Sequence, residues 1–275
     1  MEANNKILII GPPNSGKTTF LAQFNMRLES SMGELKLSKA AENTSAIENA
    51  CDRLANGEET EATPATENSI TKIPLLLDSD EWLLEYHDYG GEQVHKLTKL
   101  LQYDKTWIER AKKHDRWILF IRPSQIHHCY DLSMKGFAAV ENEKRKEIQN
   151  IPSDQYHFIE LLQVLLHARG LGTKSRIDTP RLLIVLTCWD ELNTDKKPKE
   201  VLKEYMPLFY EFMASNWKEQ KFKAVGVSAQ GFSLSVQENK EKYQNQGPEH
   251  FGYLVTESNP EEKDLTKLIK EAIEL

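Results

Sequence analysis

The chain lacks the features that would place it in a membrane, outside the cell or on nucleic acid. No apolar run approaches the ~20 residues needed to span a bilayer. The N-terminus has no secretory h-region, and the short run Ile7–Ile10 leads directly into a glycine-rich loop. Cysteine is scarce: Cys51, Cys129 and Cys188 are odd in number and widely spaced. That excludes a disulfide framework and predicts a cytoplasmic setting. His127-His128-Cys129 has no second ligand pair at a zinc-like spacing and reads as an ordinary polar loop. Positive charge is also short, with 35 Lys and Arg against 42 Asp and Glu and a net charge of −7. A general nucleic-acid ligand is therefore not expected, because such binding rests on many Lys/Arg–phosphate contacts. No internal repeat is visible.

Apolar residues are 39% of the 275, enough for the core of one large domain. A single domain over 1–275 is expected, with inserts near 30–69, 125–154 and 235–260. Ile7–Ile10, Trp82–Tyr86, Trp117–Ile121, Leu182–Leu186 and Phe222–Val227 read as buried parallel strands. Lys72–Leu77 precedes the Trp82 run across the short turn Asp78-Ser79-Asp80, which predicts an antiparallel hairpin. Helical patterns cover Thr19–Glu29, Val94–Lys113, Tyr156–Ala168, Lys199–Gln220 and Leu265–Leu275. The alternation predicts an α/β fold, three-layered, with a mostly parallel sheet, one antiparallel strand and helices on both faces. Within the inserts, Ala46–Leu54 is amphipathic and Phe251–Val255 reads as an edge strand or a cover over the ligand. The charged run Glu141–Glu147 reads as a solvated helix face.

The most specific chemistry sits at the first strand. Gly11-Pro-Pro-Asn-Ser-Gly16-Lys17-Thr18 has the form G-x-x-x-x-G-K-T, between an apolar strand and a helical pattern. Such a loop wraps an anion with backbone N–H groups, and the helix N-terminus adds partial positive charge. Gly11, Asn14, Ser15, Gly16, Lys17, Thr18 and Thr19 form the expected phosphate-binding set. Lys17 reaches the β/γ-phosphates and the Thr18 hydroxyl is placed to ligate Mg²⁺.

Three further motifs follow strands. Asp88-Tyr-Gly-Gly91 ends the Trp82 strand; the carboxylate can hold a Mg²⁺ water and Gly91 can offer the γ-phosphate a backbone N–H. Thr187-Cys-Trp-Asp190 ends the Leu182 strand, where a carboxylate can accept both the N1–H and the exocyclic amine of guanine. Ser228-Ala229-Gln230 ends the last strand, where a backbone amide can hold the guanine O6. In this order the motifs resemble the GTPase superclass of P-loop proteins, in its translation-factor/Ras-like (TRAFAC) branch, over roughly residues 5–235. The resemblance implies a P-loop NTPase fold, bound GTP or GDP with Mg²⁺, and a base site at Thr187, Asp190, Ser228 and Ala229. It also implies a switch threonine before the Lys72 strand, with Thr63 the first candidate and Thr66 the second. Thr18, Thr63 and Asp88 are thus the expected metal set; Lys17, Gly91 and Glu92 are the expected catalytic group.

The chain departs from the family pattern twice. The lysine of the base motif is Cys188, and the residue after D-x-x-G is Glu92, followed by Gln93. Glu92 either orients water or repels the γ-phosphate, so slow hydrolysis is expected. The long first insert, D-Y-G-G-E, T-C-W-D and the segment Gly247-Pro-Glu-His-Phe-Gly-Tyr253 are similar to bacterial double-GTPase proteins of conflict and anti-phage systems. That narrower resemblance implies effector or partner proteins at the switch regions, and it leaves homo-oligomerisation open. The Lys and Arg residues of Val94–Lys113 read either as a partner surface or as a solvated helix face. A P-loop ATPase and a non-hydrolysing pseudo-GTPase scaffold are the competing readings.

Overall fold

Strands that are apolar at every position need cover on both faces, and this sheet has it. The computed structural model describes residues 5–61, 70–87, 105–127, 153–171 and 175–275. Along it run β1 (Lys6–Ile10), α1 (Lys17–Glu29), β2 (Lys36–Leu37), α2 (Ser45–Ala55), β3 (Ile70–Leu77) and β4 (Asp80–His87). There follow α3 (Lys105–Lys113), β5 (Arg116–Ile121), α4 (Asp154–Ala168), β6 (Arg181–Thr187), α5 (Pro198–Tyr205) and α6 (Pro207–Asn216). The last elements are β7 (Phe222–Ser228), α7 (Gln237–Gln246), β8 (Tyr253–Val255) and α8 (Lys267–Glu274).

Among the described residues the eight strands form one sheet in the order β2-β3-β4-β1-β5-β6-β7-β8. β4, β1, β5, β6 and β7 are mutually parallel, and β3 lies antiparallel to β4 across the two-residue turn Asp78–Ser79. The antiparallel neighbour expected from the tight turn is present. Both edges add antiparallel pairings, β2 on β3 and β8 on β7.

Alternation along each strand divides the core in two. Ile7, Ile9, Ile118, Phe120, Leu183, Val185, Val225 and Val227 pack with α1, α2 and α8. Leu8, Ile10, Trp117, Leu119, Ile121, Leu182, Ile184 and Leu186 face α4, α5 and α6. Each such side chain taken from water contributes about 1.5–3 kcal/mol. This sandwich holds the carboxyl ends of β1, β5, β6 and β7 in register, and ligands of such sheets bind there.

One expectation needed revision. Lys199–Gln220 is not one helix: α5 ends at Tyr205, Met206 leaves helical geometry, and Pro207 opens α6, which stops at Asn216. Pro207 lacks the N–H that a continuous helix would require and its ring clashes with the preceding turn. In the insert near 30–69, residues 30–61 supply β2 and α2, and α2 covers the amphipathic stretch Ala46–Leu54. Of the long helix expected over 94–113, the described residues contain 105–113. Residues 88–104 and 128–152 lie outside the described set, and with them Asp88, Gly91, Glu92, His128, Cys129 and the Glu141–Glu147 run.

Candidate functional site

β1 ends at Ile10 and the chain turns through 11–16 before α1 begins at Lys17. Gly11 lies beneath the turn, where any Cβ would approach the Phe120 carbonyl to 2.8 Å. The loop closes on itself: Ser15 Oγ donates to the Pro12 carbonyl at 2.8 Å. The Lys17 ammonium donates to the carbonyls of Gly11 (2.9 Å) and Pro12 (2.6 Å) and to Ser15 Oγ (3.1 Å). A buried cation is thereby fixed at the floor of a cavity of about 310 Å³, whose lining includes Asn14 to Thr19. Volume of this order suits a small-molecule site.

Two elements beside the loop reach Thr18 and Thr19 at the start of α1. Tyr86 of β4 places its hydroxyl 3.2 Å from Thr18 Oγ1. Thr60 Oγ1 lies 2.6 Å from Thr19 Oγ1, and Thr60 lines the cavity together with Glu59 and Glu61. Arg53 of α2 anchors this segment, donating to the Glu59 carbonyl at 2.8 Å and pairing with Glu61 (2.9 Å) and Glu58 (3.4 Å). Thr60, Thr63 and Thr66 recur at equal spacing in the sequence, where Thr63, followed by Pro64, is the first candidate for the switch threonine. Thr60 is the one placed at the cavity; Thr63 and Thr66 lie outside the described residues.

The opposite wall comes from the ends of β6 and β7. Thr187 is buried, donates to the Ile121 carbonyl at 3.1 Å and packs against the underside of the loop at Gly16. Cys188 then adopts a left-handed conformation (φ 49°), which starts a short 3₁₀ turn over Trp189–Leu192. A non-glycine residue there costs roughly 1–2 kcal/mol, and Trp189 provides compensation. Its ring is buried on the backbone of Gly226 in β7, where a Cβ would lie 2.6 Å from Cδ2 and 2.8 Å from Cζ3. With the tryptophan turned inward, its neighbour Asp190 lines the cavity.

Ser228 fixes that carboxylate. Its hydroxyl donates to Asp190 Oδ1 at 2.5 Å and accepts from the Gly231 N–H at 2.9 Å. Ser228 is fully buried, so it orients the acid from behind, while Ala229 and Gln230 line the cavity. Beside them Glu191 accepts from Arg122 Nε at 3.1 Å, from Arg122 Nη2 and from Ser124 Oγ. Partial burial alone would raise the pKa of Glu191, but the hydrogen bonds from Arg122 and Ser124 hold it below the usual carboxylate value. The same pairing raises that of Arg122. Burial pushes the Cys188 thiol up to about 11 despite nearby Arg122, so it is neutral at physiological pH. Arg122, Glu191 and Thr60 went unread in the sequence because each depends on a partner tens of residues away.

One cavity therefore joins the loop of Lys17 to a carboxylate held by a serine, across the end of the sheet. Thr18, Thr60, Glu59 and Glu61, which line the Lys17 end of the cavity, carry oxygen groups, the hard donors that Mg²⁺ takes. Among the described residues no cluster of three or more His, Cys, Asp or Glu side chains could hold a metal by itself.

A family model described as Double-GTPase 1 matches residues 8–272. No curated protein matches the chain. Among solved structures, the chain is similar to Roco2 RocCORdC of Methanosarcina barkeri bound to GDP, at 15% identity and a TM-score of 0.33. That match covers 88% of this chain and 46% of the other, so the chain spans less than half of that structure's length. Among the described residues no helix is long and apolar enough to cross a membrane. The family match runs from within β1 to within α8 and takes in both walls of the cavity: the chain belongs to the Double-GTPase 1 family of P-loop GTPases.

Proposed function

We propose that the cavity binds GTP and GDP and that the chain is a slow GTP-hydrolysing switch acting on a partner protein. The observation that carries this reading is the single cavity lined by both Lys17 and Asp190. Lys17 and the loop amides take the phosphates, and the Asp190 carboxylate accepts the N1–H and 2-amino group of guanine. Adenine offers no such pair of donors, so the same acid leaves it unmatched. Thr18, with Asp88, is the group that would hold Mg²⁺, which when bound neutralises charge on the β- and γ-phosphates. Gly91 and Glu92 adjoin the γ-phosphate in this reading, and Thr60, or Thr63 beyond it, reports its presence. In this reading GTP and Mg²⁺ hold the Ser30–Ser69 region and the segment after Gly91, hydrolysis releases them, and a partner reads the difference. Defence against phage is the setting to which the double-GTPase resemblance points.

Single-turnover hydrolysis of GTP with Mg²⁺ tests the switch, with Lys17→Ala as control. Slow conversion to GDP that Lys17→Ala abolishes supports it. GTP bound but never hydrolysed, alone or with partners, supports the scaffold reading, which Glu92 and Cys188 favour through their departure from the family pattern.

A further inference from the structure

The segment after β7 does more than close the sheet edge. Tyr243 of α7 is completely buried and its hydroxyl donates to the Gln230 carbonyl at 2.7 Å, in the loop that follows Ser228 and Ala229. The same hydroxyl accepts from Gln23 Nε2 at 3.1 Å. One helical turn beyond Gln23, on the same face of α1, buried Arg27 donates to the Phe251 carbonyl. Phe251 stacks on Tyr243 with ring centroids 4.8 Å apart and planes inclined by 12°, and Phe232 meets both rings edge-on. Gly252 then passes so close beneath the loop that a Cβ would lie 2.5 Å from the Ala229 carbonyl and 2.9 Å from that of Ser228. Its φ of +90° is a conformation that side-chain-bearing residues rarely adopt.

These contacts form one path. α1 begins at Lys17 and Thr18, its buried face holds Tyr243 and Phe251, and these hold the backbone of 228–230, whose serine fixes Asp190. We infer that Tyr243, Phe251 and Gly252 are a brace that positions the base-reading loop from the phosphate-loop helix, and that Tyr243 is a positioning residue for guanine selectivity. This rests on the cavity being a guanine-nucleotide site. Burial of Arg27 lowers its pKa to about 10, with Asp264 opposing the shift, so the α1 anchor of the brace stays charged at neutral pH.

Tyr243→Phe removes one hydroxyl and keeps the ring stack. Binding of GTP, ATP and inorganic tripolyphosphate to the wild type and this variant, in Mg²⁺ buffer with melting temperatures recorded, tests the brace. The variant is expected to stay folded, to bind GTP ~5-fold more weakly, and to bind tripolyphosphate as the wild type does. Gly252→Ala, which pushes a methyl group at two loop carbonyls, is expected to lower the preference for GTP over ATP further. Unchanged GTP affinity in Tyr243→Phe overturns the brace, as does an equal loss for GTP and tripolyphosphate, which would mark a general loosening of the fold. A wild type that does not prefer GTP to ATP overturns the guanine reading itself, and that outcome is visible before any variant is made.

Discussion

Gly226→Ala tests the arrangement that aims Asp190. The new methyl group would collide with Cε3 of Trp189 and lie 2.6 Å from Cδ2 and 2.8 Å from Cζ3, against the 3.5–4.0 Å at which carbon atoms pack comfortably. The indole cannot retreat far, because it is buried between the ends of β6 and β7 and belongs to the core facing α4, α5 and α6. Overpacking of this kind costs about 1–3 kcal/mol. For a chain of this size each kcal/mol moves the midpoint by about 2–4 °C, so the melting temperature should fall by ~2–12 °C. Displacing Trp189 also displaces Asp190, and affinity for GTP should fall with it. The assay is thermal unfolding and nucleotide titration of Gly226→Ala, Trp189→Leu and the double variant. Because a smaller side chain at 189 makes room for the methyl group, the double variant should be milder than the sum of the singles by ~0.5 kcal/mol or more. Strict additivity, or a Gly226→Ala protein with wild-type stability and affinity, refutes the reasoning.

Asp190→Asn removes the charged acceptor while leaving the phosphate loop untouched, so GTP should bind ~10-fold more weakly or worse and tripolyphosphate unchanged in competition titrations. Burial raises the thiols of Cys188 to about 11 and Cys51 to about 12 from an ordinary 9.0, so peptide mapping should find neither alkylated by iodoacetamide at pH 8 in the folded chain. A raised pKa favours the folded state while the thiol is neutral: that stability is complete below pH 9 and is lost as pH rises toward 11, with Cys188 labelling first and GTP slowing it. Arg169 donates to the carbonyls of Ala111 (2.6 Å) and His114 (2.7 Å) and to Asp115 Oδ1 (2.7 Å), closing the end of α3 onto α4. Arg169→Ala strands these acceptors and should cost about 2–3 kcal/mol in denaturant unfolding, without changing nucleotide preference.

The sheet was legible because its strands are buried on both faces, and runs such as Leu182–Leu186 have no other reading between helical patterns. The phosphate loop was legible because its chemistry is contiguous from Gly11 to Thr18. The break at Pro207 was written in the sequence as well, but the apolar periodicity continues across it and masks it. What stayed hidden is what forms only when distant segments meet. Gly226 looks like an ordinary weak strand residue until Trp189 lands on it, and Tyr243 sits in a polar helix whose buried partners are 13 and 220 positions away. The sequence reading favoured Thr63 over its neighbours, whereas the contact of Thr60 with Thr19 forms only in three dimensions.

The central claim is that one cavity reads both a polyphosphate and a guanine. Calorimetric titration of the full chain with GTP, GDP and ATP in Mg²⁺ buffer tests it most directly. Saturable binding of GTP and GDP at one site is expected, lost in Lys17→Ala, with ATP failing to compete. ATP binding as tightly as GTP, or GTP binding that survives Lys17→Ala, would contradict it.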